Sequence, residues 1–469
     1  NKTWHSPEPK RRCKWVVKVF TDRYRSVPRH ELKTQYDVQS VDPNVFFRAT
    51  ALLFWLDLTG HWGRLLTLAD LGLVPSVGGI PMKNPKATWT WITGDQHLSN
   101  FGAWRNRNNE IVFSVNDFDE AAVYDFHIDL LRVAVSIYNH AVTDKLTRQQ
   151  IDQVLEHFLD TYVATIVNYV GNDHALLYEI TPETATGTLQ TFLQGVEEDN
   201  SPIKLMDKFT SVDWNGKNRR FIRNNDTKLI SVDAYFEPMI REQFTYDRYG
   251  STMMKMGWRV HQWDDSFFEV LDVAMRIGSG IGSFGVDRYY VLLRGDDGVR
   301  HADGNYGTAV ILDVKYAPEP AVRFCLNPED TAWYKYMFLN EADRAVEAQR
   351  RLTSYVDPFT GWIELEGRAF VVRERSPWRS APNLDDLTDP HDFAEFMKQV
   401  AVATATSHVR GSLATSPAQF KHVIASALGD AGNRAVWKDA VTTFARNYHE
   451  QVLLDFECFK EFVMDIYSK

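Results

Sequence analysis

Asp95, His97 and Asn100 share one short stretch, Thr93-Gly-Asp-Gln-His-Leu-Ser-Asn-Phe-Gly102, and two more acids follow in Val115-Asn-Asp-Phe-Asp-Glu-Ala121. A carboxylate, an amide and a second carboxylate in that order match what metal-assisted phosphoryl transfer requires. One acid faces the attacking hydroxyl, while the amide and the later acid hold Mg²⁺, which places the phosphate and neutralises its charge. Asp95 is therefore assigned to the acceptor proton, with His97 beside it bracing the loop by hydrogen bonding. Asn100 and Asp117 are assigned to the metal, and Asp119 to a second ion or to positioning the first. The choice between Asp117 and Asp119 as principal ligand stays open, because alternation along an extended segment puts both on one face. Turn chemistry is the plain alternative, since Asp and Asn commonly follow strands. Density weighs against it. Asp117, Asp119, Glu120 and Asp125 fall within nine positions, and such crowding repels unless a cation or solvent absorbs it.

Apolar runs deliver both segments: Ala87 to Ile92 precedes the first, and Ile111 to Val115 precedes the second. A phosphate cradle and a lysine are absent upstream and appear far downstream. Arg276-Ile-Gly-Ser-Gly-Ile-Gly-Ser-Phe-Gly285 is a glycine-rich turn before a strand-like run, Val286 to Leu293. Gly278, Ser279, Gly280, Gly282 and Ser283 would let backbone N–H groups approach a polyphosphate without Cβ interference. Ala309-Val-Ile-Leu-Asp-Val-Lys315 then reads as a strand ending on Lys315, the residue expected to contact phosphate. The helix Asp343 to Leu352 offers Glu347, with Glu341 as the second choice, to pair with Lys315. Arg368 to Glu374 reads as the strand lining an adenine site, which puts Arg373 on the nucleotide side. Asp357-Pro-Phe-Thr-Gly-Trp362 is a turn signal before it.

The order Asp-x-His-x-x-Asn resembles the catalytic loop of aminoglycoside phosphotransferases, and Asp-Phe-Asp resembles the metal-binding Asp-Phe-Gly of kinases. Kinase parts are present in rotated order, with the catalytic loop before the glycine turn and lysine. A circular permutation explains this, since chain termini often lie close together on a surface. More broadly, the chain resembles the proteins grouped as domain of unknown function 2252. That resemblance rests on Phe46-Phe-Arg-Ala49, Gly94 to Gly102, Asn116 to Glu120, Gly278 to Gly285, Val346 to Arg350 with Asp357-Pro-Phe, and Tyr448 to Asp455. Two departures are Ala49, where members often carry glycine, and Tyr316 in Val314-Lys-Tyr-Ala317. The resemblance implies an α+β, bilobal, protein-kinase-like fold, circularly permuted, with a small β-rich lobe and a larger helical lobe. The expected division is an N-terminal arm over 1–40, the larger lobe with its catalytic and metal loops over 41–260, the nucleotide-binding lobe over 261–380, and a helical return over 381–469.

Length and composition suit such an enzyme: 469 residues and fourteen tryptophans leave room for a large core. A net charge of −10 argues against a general nucleic-acid binder. Lys10-Arg-Arg-Cys-Lys14 reads as part of a solvated arm. Cys13, Cys325 and Cys458 have neither zinc spacing nor the look of a disulfide framework, which leans towards a reducing, cytoplasmic compartment. The missing initial methionine implies a truncated or processed start. No stretch is long enough to span a membrane. Phe126 to His140, Gln149 to Val170, His391 to Val409 and Val436 to Tyr467 read as helices, as does Val45 to Leu58 with Arg48 and Asp57 as a structural ion pair. Asp125 is read as a helix cap and Asp129 as a partner for Arg132.

The expected activity is ATP-dependent and Mg²⁺-dependent phosphoryl transfer to a small-molecule or protein acceptor. A nucleotide-binding pseudokinase and a kinase-fold nucleotidyltransferase (adenylylation) are the alternatives. A two-metal phosphoesterase, suggested by Gly-Asp-x-His, lacks the further His and Asn ligands it needs.

Overall fold

The chain opens with α1 (Pro9–Arg23), α2 (Arg29–Gln39), α3 (Pro43–Arg48) and α4 (Ala51–Thr59). In this computed structural model the described residues are 4, 7–25, 27–60, 64–253, 264–278, 286–300, 304, 307–412 and 419–467. A small hairpin, β1 (Ser76–Val77) with β2 (Ile80–Pro81), leads to β3 (Trp89–Ile92), β4 (Phe101–Arg105), β5 (Ile111–Val115) and β6 (Ala122–Asp125). Helices α5 (His127–Thr143), α6 (Arg148–Asn168), α7 (Gly187–Asp199) and α8 (Pro202–Phe209) follow, then β7 (Thr210–Val212), β8 (Arg219–Phe221), β9 (Leu229–Ser231), α9 (Phe236–Gln243) and α10 (Tyr249–Thr252). The later part holds β10 (Val270–Arg276), β11 (Arg288–Leu293), β12 (Val310–Tyr316), α11 (Pro328–Met337), α12 (Glu341–Leu352), β13 (Gly361–Leu365) and β14 (Arg368–Glu374). It closes with α13 (Pro390–Arg410), α14 (Phe420–Leu428) and α15 (Ala431–Tyr467). The fold is α+β.

Six strands form one antiparallel sheet in the order β13-β14-β12-β11-β10-β9, while β3 pairs with β6 and β4 with β5. Alternation along the central strands divides the sheet's two faces. Val291, Leu312, Val314, Phe370 and Val372 pack into one apolar cluster, and Tyr290, Leu292 and Ile311 into another with Phe209 and Phe221 of the β7–β8 hairpin region. The largest core is helical and gathers α5, α6, α13 and α15 around Phe126, Leu155, Tyr162 and Trp437. Local chemistry fixes the ends of these elements. Thr147 and Gln150 form a capping box at α6, and Asn340 caps α12 by accepting from the Asp343 N–H at 2.8 Å. No helix among the described residues is long and apolar enough to cross a membrane.

The first forty residues correct the expectation of an arm. Val16, Val19, Phe20 and Tyr36 are buried, and α1 packs on α15. Arg12, read as solvated, is instead 2 % exposed. Its guanidinium donates to Asp57 at 2.7 and 2.8 Å and to Asp455 at 2.9 and 2.6 Å, and the Tyr448 hydroxyl donates to Asp57 at 2.7 Å. Asp57 therefore pairs with Arg12 and not with Arg48. The basic run Lys10 to Lys14 hides this, because a buried guanidinium is tolerable only when its partners, here Asp57 and Asp455, arrive from distant segments.

One residue further on, Cys13 and Cys458 form a disulfide, with Cα atoms 5.7 Å apart, while Cys325 is free. This overturns the reading of three unconnected cysteines: α1 and α15 meet through two cysteines that lie 445 residues apart in sequence. The helix expected over Val45 to Leu58 is two helices. The Phe47 carbonyl is taken by the Thr50 hydroxyl at 2.6 Å and by Arg132 at 2.9 Å, so the chain turns at Ala49 and Thr50.

Arg12→Met should leave two buried carboxylates without a cation and cost on the order of 3–5 kcal/mol. Cys13→Ser should cost about 2–4 kcal/mol. Denaturant unfolding of both variants beside the parent protein, with far-UV circular dichroism as the probe, checks the order of these losses.

Candidate functional site

The 94–102 segment is held from beneath by α5. The fully buried Asp129 accepts from the backbone N–H of Thr93 and of Gly94, each at 2.8 Å, and its second helper is His408, with Nε2 at 3.2 Å. Trp55 Nε1 donates to the Gly94 carbonyl at 2.8 Å, and the Ser136 hydroxyl accepts from the Leu98 N–H at 3.0 Å. Gly94 has a φ of 75° and lies so close to the Glu120 carbonyl that a Cβ there would collide with it. The two acid-bearing segments therefore pass directly over one another.

Arg132 pairs with Asp95, not with Asp129 as spacing along the helix suggested. Its guanidinium also stacks 4.2 Å from the Phe47 ring centre. Burial raises the Asp95 carboxyl, and Glu120 and Asp117 add repulsion. Arg132 offsets only part of this, and Asp95 titrates at about 7. Such a group is matched to exchanging a proton with a bound hydroxyl near neutral pH. His97 is buried and pushed well below its ordinary range, first by burial and then by Arg132 and Arg48, so its imidazole is neutral. Its Nε2 lies 3.7 Å from Asp95, and its Nδ1 has no hydrogen-bond partner among the described residues. The side chain thus does not brace the loop as expected. Backbone bonds do that instead: His97 N–H to the Asp95 carbonyl, and Asn100 N–H to the His97 carbonyl, both at 2.9 Å.

Asn100 donates its amide N–H to the Asp95 carbonyl at 2.7 Å, which leaves its Oδ1 as the free acceptor. Asp117 accepts from the Asp119 N–H at 3.2 Å and has no ion-pair partner among the described residues. Asp119 is different. Burial alone would raise it, but Lys315, bound directly to it, and then Arg373 and Arg344 hold its carboxyl below the usual range. An amide oxygen and an uncommitted carboxylate form a hard-oxygen donor set of the kind Mg²⁺ takes. Asp95, His97, Asn100, Asp117, Asp119 and Glu120 line one open cleft of about 900 Å³, counting the solvent at its mouth.

Lys315, on β12 of the six-stranded sheet, binds the cleft residue Asp119 without itself being among the described residues that line the cleft. It shares a sheet face with Asp313, which Arg288 holds at 2.5 Å and Arg373 at 3.4 Å. Burial opposes ionisation of Asp313, yet these cations and Lys315 keep its carboxyl far below the usual range. Arg373 is therefore committed to Asp313. Glu347 corrects a further expectation: it pairs with Arg351 at 2.7 Å, one turn along α12, and Glu341 pairs with Arg344 and Arg323. Neither reaches Lys315, because Asp119 already does. Of the glycine-rich turn, Gly278 has a φ of 63°, and Ser279, Gly280, Gly282 and Ser283 lie outside the described residues.

Three arginines fasten the 116–121 segment and were missed in the sequence. Arg344 of α12, 1 % exposed, donates to the carbonyls of Ala121 and Asp119, the latter at 2.8 Å. Arg379 donates to the Asn116 carbonyl at 3.2 Å, and burial pushes its guanidinium down to about 9. Arg23 of α1 donates to Glu120 at 3.2 Å, and Glu120 also accepts from the Ala321 N–H. A signal existed for one of them: Arg344, Ala348 and Leu352 recur at a spacing of four, so the arginine sits on the apolar stripe. Asp357 proved more than a turn former, since it accepts from the Glu374 N–H at 2.9 Å and anchors the end of β14. A separate exposed cluster, Asp389, His391 and Asp392, is a helix cap in which Asp389 accepts from the other two N–H groups.

A family profile described as "Uncharacterized protein conserved in bacteria (DUF2252)" matches residues 28–462, and the chain belongs to that family. Searches of curated proteins and of solved structures gave no match.

The raised Asp95 carboxyl has a sign that can be tested. Its unfolded value is about 3.9, so the folded chain binds the extra proton between there and about 7. Stability from this group is complete below the unfolded value and falls as pH rises through the window. In metal-free buffer Asp95→Asn should remove that decline, seen as a flatter dependence of Tm on pH than in the parent protein. An identical slope in both proteins would show that Asp95 ionises normally.

Proposed function

We propose that this protein is an ATP-dependent, Mg²⁺-dependent phosphotransferase built on a bilobal, circularly permuted kinase-like plan. The supporting observation is the convergence of Asp95, Asn100, Asp117 and Asp119 with Lys315, a lysine almost two hundred residues away in sequence. In this reading the six-stranded sheet with α9, α10 and α12 forms the small lobe and the remaining helices the larger one. Segment 375–380 connects them: Arg375 N–H bonds the Ile311 carbonyl at 2.8 Å, and Ser380 pairs with Ala103 of β4.

Bound Mg²⁺ would supply charge neutralisation for the transferring phosphate, held by Asn100 and Asp117. Asp117 is the principal ligand in this reading because Asp119 is neutralised by Lys315. Asp95 would take the proton of the acceptor hydroxyl as that oxygen bonds to the γ-phosphorus and the bond to ADP breaks. Arg132 keeps the carboxylate turned towards the cleft, and neutral His97 beside it adds no competing charge. Lys315 would exchange Asp119 for nucleotide phosphate oxygens, a swap between two anionic partners.

Mg·ATP should raise the melting temperature, as any native-state ligand does, and Lys315→Ala should reduce that shift. Absence of any shift with ATP, GTP or their analogues at millimolar concentration would remove the nucleotide site. Asp95→Asn should lower turnover by roughly 10²–10⁴-fold with nucleotide binding intact, whereas Asp117→Asn should also weaken Mg²⁺-dependent nucleotide binding. The measurement is mass analysis of products after incubation with Mg·ATP and a metabolite extract. A gain of phosphate supports the proposal, and a gain of AMP would assign adenylylation instead.

A further inference from the structure

Arg48 ends α3 inside the Phe-Phe-Arg-Ala motif and lines the same cleft as Asp95. Its guanidinium forms no ion pair or hydrogen bond with the described residues, and its Nε is inaccessible and without a partner. Asp95, Asp117 and Asp42 act on it only across a distance, and burial dominates, lowering its affinity for the proton. A half-buried guanidinium is normally matched to a carboxylate or phosphate, because leaving its donors unsatisfied away from water is costly. Arg23, the other cation on the cleft wall, is already engaged by Glu120. Arg132 beneath is engaged by Asp95. Among the described residues, Arg48 is thus the cleft cation that awaits an anion.

The position of the cleft says which anion. Among the described residues, those lining it fall between Val19 and Glu120, on or beside α1, α3 and α4 and in the two acid-bearing segments, and none of them comes from the six-stranded sheet. Lys315 enters from the sheet and meets Asp119. Nucleotide phosphates would therefore approach from the Lys315 side, while the Arg48 side faces the group that presents its hydroxyl to Asp95. The cleft that Arg48 lines also carries apolar side chains, Phe20, Ala49, Leu52 and Leu53 among them.

We propose that Arg48 is the specificity residue of this site, and that the acceptor is a small molecule with an apolar body and a carboxylate or phosphate group near its reacting hydroxyl. The inference rests on the phosphotransfer reading for the word acceptor, but the anion site itself does not.

Thermal shift of the full chain separates the two. Inorganic phosphate and succinate, each at millimolar concentration, should stabilise the parent protein. Arg48→Gln should lose that shift, Arg48→Lys should keep part of it, and the shift with Mg·ATP should persist in both variants. Equal responses to the two anions in parent and Arg48→Gln would overturn the anion site, as would no response in the parent protein. Loss of the Mg·ATP shift in Arg48→Gln would overturn the acceptor assignment and give Arg48 to the nucleotide. An Arg48-dependent anion shift in a parent protein that ignores Mg·ATP would support the anion site while removing phosphotransfer. Unfolding of Arg48→Gln at ambient temperature would leave Arg48→Lys and direct calorimetric titration of the parent protein with phosphate to decide between the same outcomes.

Discussion

The contact on which the arrangement depends is the ion pair between Lys315 and Asp119. It joins the sheet to the acid-bearing segment, and each side is costly without the other. Both partners are part-buried, with 14 % of the Lys315 side chain and 30 % of the Asp119 side chain exposed. Removing one partner of such a pair leaves the other as an uncompensated charge. The segment is then gripped on its backbone as well, by Arg344 at the Asp119 and Ala121 carbonyls and by Arg379 at Asn116. Cations from β12, α12 and the 375–380 crossing thus converge on six residues. The charged stretch of the sheet face, Arg288, Asp313, Lys315 and Arg373, exists where the sheet must meet acids. The apolar stretch of the same face, Tyr290, Leu292 and Ile311, lies where it meets Phe209 and Phe221.

Charge within the cleft is arranged so that the acids differ from one another. Asp119 is held low by Lys315, whereas Asp95 is held near neutrality because burial and two neighbouring carboxylates outweigh a single arginine. Two carboxyls a few residues apart can then serve different roles, one as a permanent anion and one as a group that gains and loses a proton. His97 completes the division by remaining uncharged. An imidazolium there would have pulled Asp95 back towards its ordinary value. The burial of His97 therefore matters more to the chemistry than any hydrogen bond it makes.

Local elements were legible where periodicity and side-chain type agree. β5 and β14 span the residues their apolar runs marked, and α12, α13 and the lysine-bearing strand differ from expectation by one or two residues. The grouping of Asp95, Asn100, Asp117 and Asp119 was legible too, because one short span carries them. Partners were not legible. Glu347 looked suited to Lys315, yet a turn of helix gives it Arg351, and Asp119 wins the lysine from another part of the chain. Arg12 read as one more solvated cation in a basic run, and only the approach of Asp57 and Asp455 makes its burial possible. Long-range charge pairing leaves almost no trace in local sequence, whereas a lone arginine in an apolar stripe does. Arg132 within Leu130-Leu131-Arg132-Val133 and Arg344 on the α12 stripe were such traces.

The family profile begins at residue 28, after α1 has ended. The 94–102 and 116–121 segments, Arg48, Lys315 and α12 all lie within the match, while Val19, Phe20, Arg23 and Tyr24 of the cleft wall lie before it. That wall is fixed with unusual redundancy: Arg12 is clamped between Asp57 and Asp455, Cys13 is bonded to Cys458, and Phe20 packs on Phe46 and Phe459. A helix that served only to cover apolar surface would need none of the first two. Arg23 of this helix is held against Glu120 and both line the cleft, so the clamp on α1 helps to place part of the cleft wall. Asp95, Asn100, Asp117 and Lys315 belong to the part of the chain that the family profile covers, and the wall of the cleft in front of the acids is completed by a helix before it.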